Sequence, residues 1–130
     1  MELGKVNLKT FSNGEQYVRY EESVRGKDVF IVQTGTESCD SDILEACLMC
    51  QAAKLGFAKS IRLVIPHFPY ARQDRVSEPR EPISAKLIAD LLVASGADHV
   101  PAGGIGSSSH RTWVPPRWPT PMPMRLAPRP

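Results

Sequence analysis

Two apolar runs of strand length, Asp28-Val29-Phe30-Ile31-Val32-Gln33 and Ile61-Arg62-Leu63-Val64-Ile65, stand on either side of a helical pattern, and this arrangement constrains the fold more than any other feature. Nearly continuous apolar runs of that length suit strands buried within a parallel sheet. After the loop Thr34 to Ser38, a helix is predicted to begin near Ser41 or Asp42. Asp42 and Glu45 there have the spacing of a capping box. Ile43, Leu44, Cys47, Leu48, Ala52 and Leu55 form its apolar stripe, and Gly56 is placed to end it. A second helix is expected from Pro82, a residue suited to the first helical position. It should bury Ile83, Leu87, Ile88, Leu91 and Leu92 and close at Gly96, before Asp98-His99-Val100 approaches another strand. Strand–helix–strand–helix–strand reads as an α/β fold with a mostly parallel sheet. Right-handed crossovers would put helices on both of its faces.

Ahead of this unit, Val6 to Phe11 alternates apolar and polar residues, the period of a half-buried strand. Ser12-Asn13-Gly14-Glu15 is a turn signal, because Asn-Gly tolerates the left-handed conformations that hairpins need. Gln16 to Glu21 is rich in strand formers, so a β-hairpin with a polar tip is expected, and Gly26 marks a second turn. On composition alone, Asn13 and Glu15 at the tip read as ordinary turn chemistry.

The second apolar run breaks at Pro66 into a loop that is cationic, polar and aromatic, reaching to Pro82 through Phe68, Tyr70, Arg72, Gln73, Asp74, Arg75, Glu78, Arg80 and Glu81. Loops beyond the carboxyl ends of parallel strands are where open α/β sheets bind ligands. Arg72 and Arg75 offer planar donor forks suited to phosphate. Phe68 and Tyr70 offer ring faces. The acidic residues nearly cancel the arginines, so the loop is no anion trap by net charge. The loop Thr34 to Ser38, with Gly35, offers a weaker phosphate signal at a helix N-terminus, without a P-loop or dinucleotide fingerprint.

Charge excludes one class of partner. Residues 1–100 hold all 14 acidic residues and 12 of the 16 basic ones, while residues 101–130 hold four arginines and no acid. The body is mildly acidic and has no basic stripe for nucleic acid. No apolar run is long enough to span a bilayer, and the first residues lack the apolar core of a signal peptide. Cys47 and Cys50 form a C-x-x-C inside the first helical pattern and read as buried, reduced thiols. A zinc site would need two more ligands at suitable spacing, which the sequence does not offer. A cytoplasmic location is expected.

At Pro101 the composition changes. Residues 101–130 contain eight of the 12 prolines and both tryptophans, Trp113 and Trp118. Repeats such as Pro119-Thr120-Pro121-Met122-Pro123 lack the donors a sheet needs. The segment reads as a non-homologous tail, disordered or loosely polyproline-like, standing where a strand is due.

Five stretches together carry a resemblance: Phe11-Ser12-Asn13-Gly14-Glu15, Glu22-Ser23-Val24-Arg25-Gly26, Phe68-Pro69-Tyr70-Ala71-Arg72-Gln73-Asp74-Arg75, Pro82-Ile83-Ser84-Ala85-Lys86-Leu87 and Gly96-Ala97-Asp98-His99-Val100. In this order they resemble the N-terminal half of ribose-phosphate diphosphokinase, also called phosphoribosyl pyrophosphate synthetase. The resemblance covers residues 3–100. It implies a phosphoribosyltransferase-like fold and transfer of the diphosphoryl group of ATP to ribose 5-phosphate, with magnesium, in nucleotide biosynthesis. It implies that Arg72 and Gln73 contact ATP, that Phe11, Asn13 and Glu15 complete the adenine pocket of a neighbouring subunit, and that the protein forms homo-oligomers, dimers and hexamers. Tyr70 and Phe68 are then expected to pack rather than bind.

The sequence also departs from the family. The strand and helix that precede the hairpin in the family have no counterpart here, so an incomplete domain is expected. Pro101-Ala102-Gly103-Gly104 stands where the family has a Met-Asp-Leu-His strand end serving magnesium and ATP. His99 lies before that strand and does not replace its histidine. No metal ligand and no ribose 5-phosphate domain is matched, and no catalytic residue is assigned. The expected function is that of a family member inactive by itself. The alternatives are an ATP- or ADP-binding or subunit-associating regulatory module, and a non-functional product of a reading-frame slip, for which a novel exon is the rival origin of the tail.

Overall fold

The computed structural model describes residues 3–101 and the backbone of residues 112–113. The elements in order are β1 (Val6–Thr10), β2 (Gln16–Tyr20), β3 (Asp28–Val32), α1 (Cys39–Leu55), β4 (Ser60–Val64), α2 (Ser84–Ala94), β5 (Val100–Pro101) and β6 (Thr112–Trp113). β1 and β2 form the expected antiparallel hairpin, with Val6 opposite Tyr20 and Thr10 opposite Gln16. Gly14 at its tip has φ of 87°, a conformation that strains any residue with a Cβ.

β3 and β4 pair in parallel, with Val29 beside Ile61 and Ile31 beside Leu63. α1 is their crossover. A parallel bridge between Arg62 and His99 brings the approach to β5 alongside β4, and the Leu63 N–H donates to the His99 carbonyl at 2.9 Å. The α/β reading therefore holds, on a small sheet. Of the tail, Thr112–Trp113 pairs antiparallel with Val100–Pro101. The rest of residues 102–130 lies outside the described residues.

The two helices do not flank the sheet on both faces. Cys50 and Ala53 of α1 and Leu92 of α2 share one apolar core with Ile31, Ile61, Leu63 and Ile65. Both crossovers advance in the same direction, from β3 to β4 to β5, so the same handedness carries both helices to one side. Leu63 and Leu92 are completely buried, and each contributes about 1.5–3 kcal/mol by leaving water. On the opposite face Arg62 lies 5.2 Å from the centre of the exposed Phe30 ring.

Local signals set the elements more accurately than their orientation. α1 starts at Cys39, ahead of the expected Ser41 or Asp42, and no side chain caps it. Asp42 instead accepts hydrogen bonds from the Thr36 N–H at 2.6 Å and hydroxyl at 2.7 Å. Its buried face is Ile43, Ala46, Met49, Cys50 and Ala53, while Leu44 is 54% and Leu55 69% exposed. The helix is apolar around much of its girth, so periodicity alone does not single out the inward stripe. α2 begins at Ser84 rather than Pro82 and buries Ala89 and Leu92, leaving Leu87 56% exposed. Gly56 ends α1 without a left-handed φ of its own, since Phe57 carries it at 59°. A Cβ on Gly56 would lie 2.6 Å from a Val24 methyl, so close packing is what requires glycine there.

Candidate functional site

The loop from Pro66 to Ile83 leaves the carboxyl end of β4 and is pinned between the first turns of both helices. At its near end the Gly35 N–H donates to the His67 carbonyl at 3.1 Å, and a Cβ on Gly35 would lie 2.6 Å from Pro69 Cγ. The loops following the two parallel strands are thus packed edge to edge. Phe68 packs against the core, as expected. Tyr70 does not. It is 37% exposed, has a left-handed φ of 61°, and donates its phenol hydrogen to the Asp40 carboxylate on α1. That hydrogen bond holds the phenol neutral and pushes its pKa up to about 12.

From Tyr70 the chain makes a four-residue turn, closed by the Gln73 N–H donating to the Tyr70 carbonyl at 2.9 Å. Arg72 occupies the third position of this turn and is exposed. The far end is anchored on α2. The Ser84 hydroxyl donates to Gln73 Oε1, and the Ala85 N–H donates to the Gln73 carbonyl at 3.1 Å. Ala85 is in the first turn of α2, so the loop carbonyl satisfies one of the donors every helix start leaves unpaired. Beyond Arg72 and Gln73, the Glu81 carboxylate accepts the Ser77 and Glu78 N–H groups at 3.2 and 3.1 Å, folding the rest of the loop on itself.

This geometry leaves the Arg72 guanidinium and the Gln73 Nε2 amide as donors open to a ligand, both on a turn fixed at each end. An anion with several oxygens fits such a pair. Gly35 and Thr36, the weaker phosphate candidate, do not fit one. Their N–H groups are taken by His67 and Asp42, and two carboxylates, Asp40 and Asp42, occupy the first turn of α1.

The hairpin tip is a separate cluster. The Phe11 N–H donates to the Glu15 carbonyl at 2.7 Å, and the Glu15 N–H to Asn13 Oδ1 at 3.1 Å. The Phe11 ring, 52% exposed, meets Tyr17 edge to face at 6.3 Å. Among the described residues no hydrogen bond or ion pair joins Phe11, Asn13 or Glu15 to Arg72 or Gln73. The hairpin is instead fixed by Gln16, whose Nε2 donates to the Ser41 hydroxyl at 2.6 Å. The first turn of α1 therefore holds the tip end of the hairpin and the loop alike.

Cys47 and Cys50 are free thiols on the inner side of α1, and burial raises both pKa values, that of Cys50 to about 12. A metal needs the thiolate, so this environment agrees with the reading of inert core thiols. Among the described residues no three His, Cys, Asp or Glu side chains gather as a metal site. Among the described residues magnesium therefore has no three-ligand protein cluster to hold it. Within the same residues no helix is long and apolar enough to cross a membrane.

Residues 1–96 match the family model for the N-terminal domain of ribose phosphate pyrophosphokinase. The chain belongs to this family. It is 45% identical over 102 residues to the ribose-phosphate pyrophosphokinase of Fusobacterium nucleatum, covering 78% of this chain and 32% of the relative. With that of Corynebacterium glutamicum it is 51% identical over 95 residues, 73% of this chain and 29% of the relative. Its structure superimposes on the crystal structure of phosphoribosylpyrophosphate synthetase from Mycobacterium smegmatis with a TM-score of 0.76 and 42% identity, over 78% of this chain and 34% of that one. The chain thus spans about a third of the length of these pyrophosphokinases.

Two residues that anchor the loop escape sequence reasoning. Tyr70 is visible as an aromatic residue but not as a strut to a helix thirty residues earlier. Ser84 stands at a helix start, where serine is common as a cap. Its hydroxyl turns outward to Gln73 instead, and no local pattern predicts that choice.

Proposed function

We propose that this chain supplies part of the ATP site of a ribose-phosphate pyrophosphokinase and has no synthetase activity alone. The observation that carries the reading is the pinned turn holding Arg72 and Gln73 at the carboxyl end of β4. Arg72 provides a charged fork for phosphate oxygens, and Gln73 provides a directed amide donor. Phe11, Asn13 and Glu15 then serve the adenine pocket of a neighbouring copy. They are bonded within the hairpin and not to Arg72, and family membership is what supports a site shared between subunits and assembly as dimers and hexamers. Family membership supports transfer of a diphosphoryl group from ATP to ribose 5-phosphate with magnesium, in the cytoplasm. Such transfer depends on positioning two substrates and neutralising the triphosphate. The described residues offer one side of that arrangement and no metal cluster.

Calorimetric titration with ATP tests the site. The chain should bind ATP, and Arg72→Ala should weaken binding about tenfold, the loss of a charge-assisted contact. A chain that does not bind, or an unaltered Arg72→Ala variant, overturns the reading. A coupled assay should detect no phosphoribosyl pyrophosphate with ribose 5-phosphate and magnesium present, and product formation would refute the proposed inactivity. The exposed hairpin tip favours a second reading, a module that joins full-length subunits. Co-elution with a full-length family enzyme in size-exclusion chromatography would support it.

A further inference from the structure

Gln73 has two chemically different ends, and a ligand site needs to know which is presented. An unrestrained carboxamide turns about its last torsion, offering an acceptor as readily as a donor. Here the Ser84 hydroxyl donates to Oε1, and the Gln73 backbone is held independently by the Ala85 N–H at 3.1 Å and by its own N–H to Tyr70 at 2.9 Å. Ser84 is the first residue of α2, a rigid element whose Leu92 is completely buried in the core. The restraint on the carboxamide therefore comes from the scaffold and not from the loop.

We propose that Ser84 is a positioning residue that sets the polarity of the nucleotide site. By occupying Oε1, it turns the Gln73 amide into an obligate donor, matched to anionic phosphate oxygens and mismatched to a cation or an amine. Its action is through Gln73 and involves no contact with the ligand. The proposal rests on the ATP-site reading above and adds to it the reason that Gln73 selects an anion.

The test is made on the full chain by ATP calorimetry and nuclear magnetic resonance. Ser84→Ala should weaken ATP binding about 3–10-fold, the worth of one hydrogen bond. Ser84→Thr, which keeps the hydroxyl, should restore it. In a Gln73→Ala background Ser84→Ala should cost nothing further, because the group it orients is gone. In the unsubstituted chain, 15N relaxation of the Gln73 side-chain amide reads the restraint directly, whether or not Ser84→Ala folds. An amide as rigid as the helix backbone supports the proposal, and a freely turning one overturns it. Wild-type binding with equal affinity in a folded Ser84→Ala variant overturns the positioning role and leaves the ATP site standing. A folded wild-type chain that does not bind ATP overturns both.

Discussion

Tyr70 donates its phenol hydrogen to Asp40 across thirty residues of sequence, tying the β4–α2 loop to the first turn of α1. This strut lies on the surface, so its effect is on the loop and not on the core. In Tyr70→Phe the turn holding Arg72 loses one anchor while the fold keeps its packed interior. Trypsin should then cut at Arg72 or Arg75 several-fold faster, with the thermal midpoint unchanged. Asp40→Asn weakens the same contact, so the double variant should be cut no faster than the worse single one. Equal digestion of wild type and Tyr70→Phe would show that the strut does not hold the loop.

The hairpin has a strut of a different kind. The Tyr20 phenol donates to the Met49 carbonyl at 3.1 Å, inside the seam between β2 and α1. Burial is the larger cause of its raised pKa, about 12 against an ordinary 10.0. A phenol whose pKa is higher folded than unfolded contributes stability that is complete below about pH 10 and lost as pH rises through about 12. Urea midpoints should therefore fall between pH 10 and 12, and fall less in Tyr20→Phe. That variant should also be about 0.5–1.5 kcal/mol less stable at neutral pH through the lost hydrogen bond. A wild-type midpoint that is flat over this window would contradict the buried phenol.

The sequence announces these elements better than the ways they are tied together. Asn13-Gly14 marks the hairpin because few residues accept the positive φ that Gly14 adopts in its turn, and β1 to β4 fall within a residue of their predicted runs. The inward face of α1 is hidden because Leu44 and Leu55 are as apolar as Ile43 and Met49, and only the neighbouring strands decide between them. Phe57, Tyr70 and Arg80 adopt positive φ that their side chains disfavour, imposed by tertiary contacts rather than announced by a glycine. Arg72 and Gln73 are recognisable through a family motif. Local physics alone would leave them as solvated charge on a loop.

Gly35 should tolerate no side chain, although its backbone allows one. A Cβ there would lie 2.6 Å from Pro69 Cγ and 3.2 Å from the His67 carbonyl, and a proline ring yields little. Gly35→Ala should cost about 1–3 kcal/mol by overpacking. Gly4→Ala, with nothing within 4 Å of the added methyl, should stay within about 0.5 kcal/mol of wild type. Urea denaturation of both variants compares them directly. Equal stability would mean that the β3–α1 and β4–α2 loops are not packed together.

The three thiols should report burial by the order in which they react. Cys39, at the start of α1, is half-buried and should react with a disulfide reagent first. Cys47 should follow more slowly, since desolvation raises its pKa. Cys50 is completely buried, with its thiol pushed up to about 12 by desolvation first and by the neighbouring Cys47 second. Raising the pH from 7 to 9 should thus leave Cys50 unreacted, because neither access nor thiolate is supplied. Alkylation followed by peptide mass spectrometry separates the three sites, and Cys50 should be labelled only when urea unfolds the chain. Labelling of Cys50 in step with Cys39 would mean that α1 leaves its place over β4 under native conditions, and with it the first turn on which both the hairpin and the Arg72 loop are anchored.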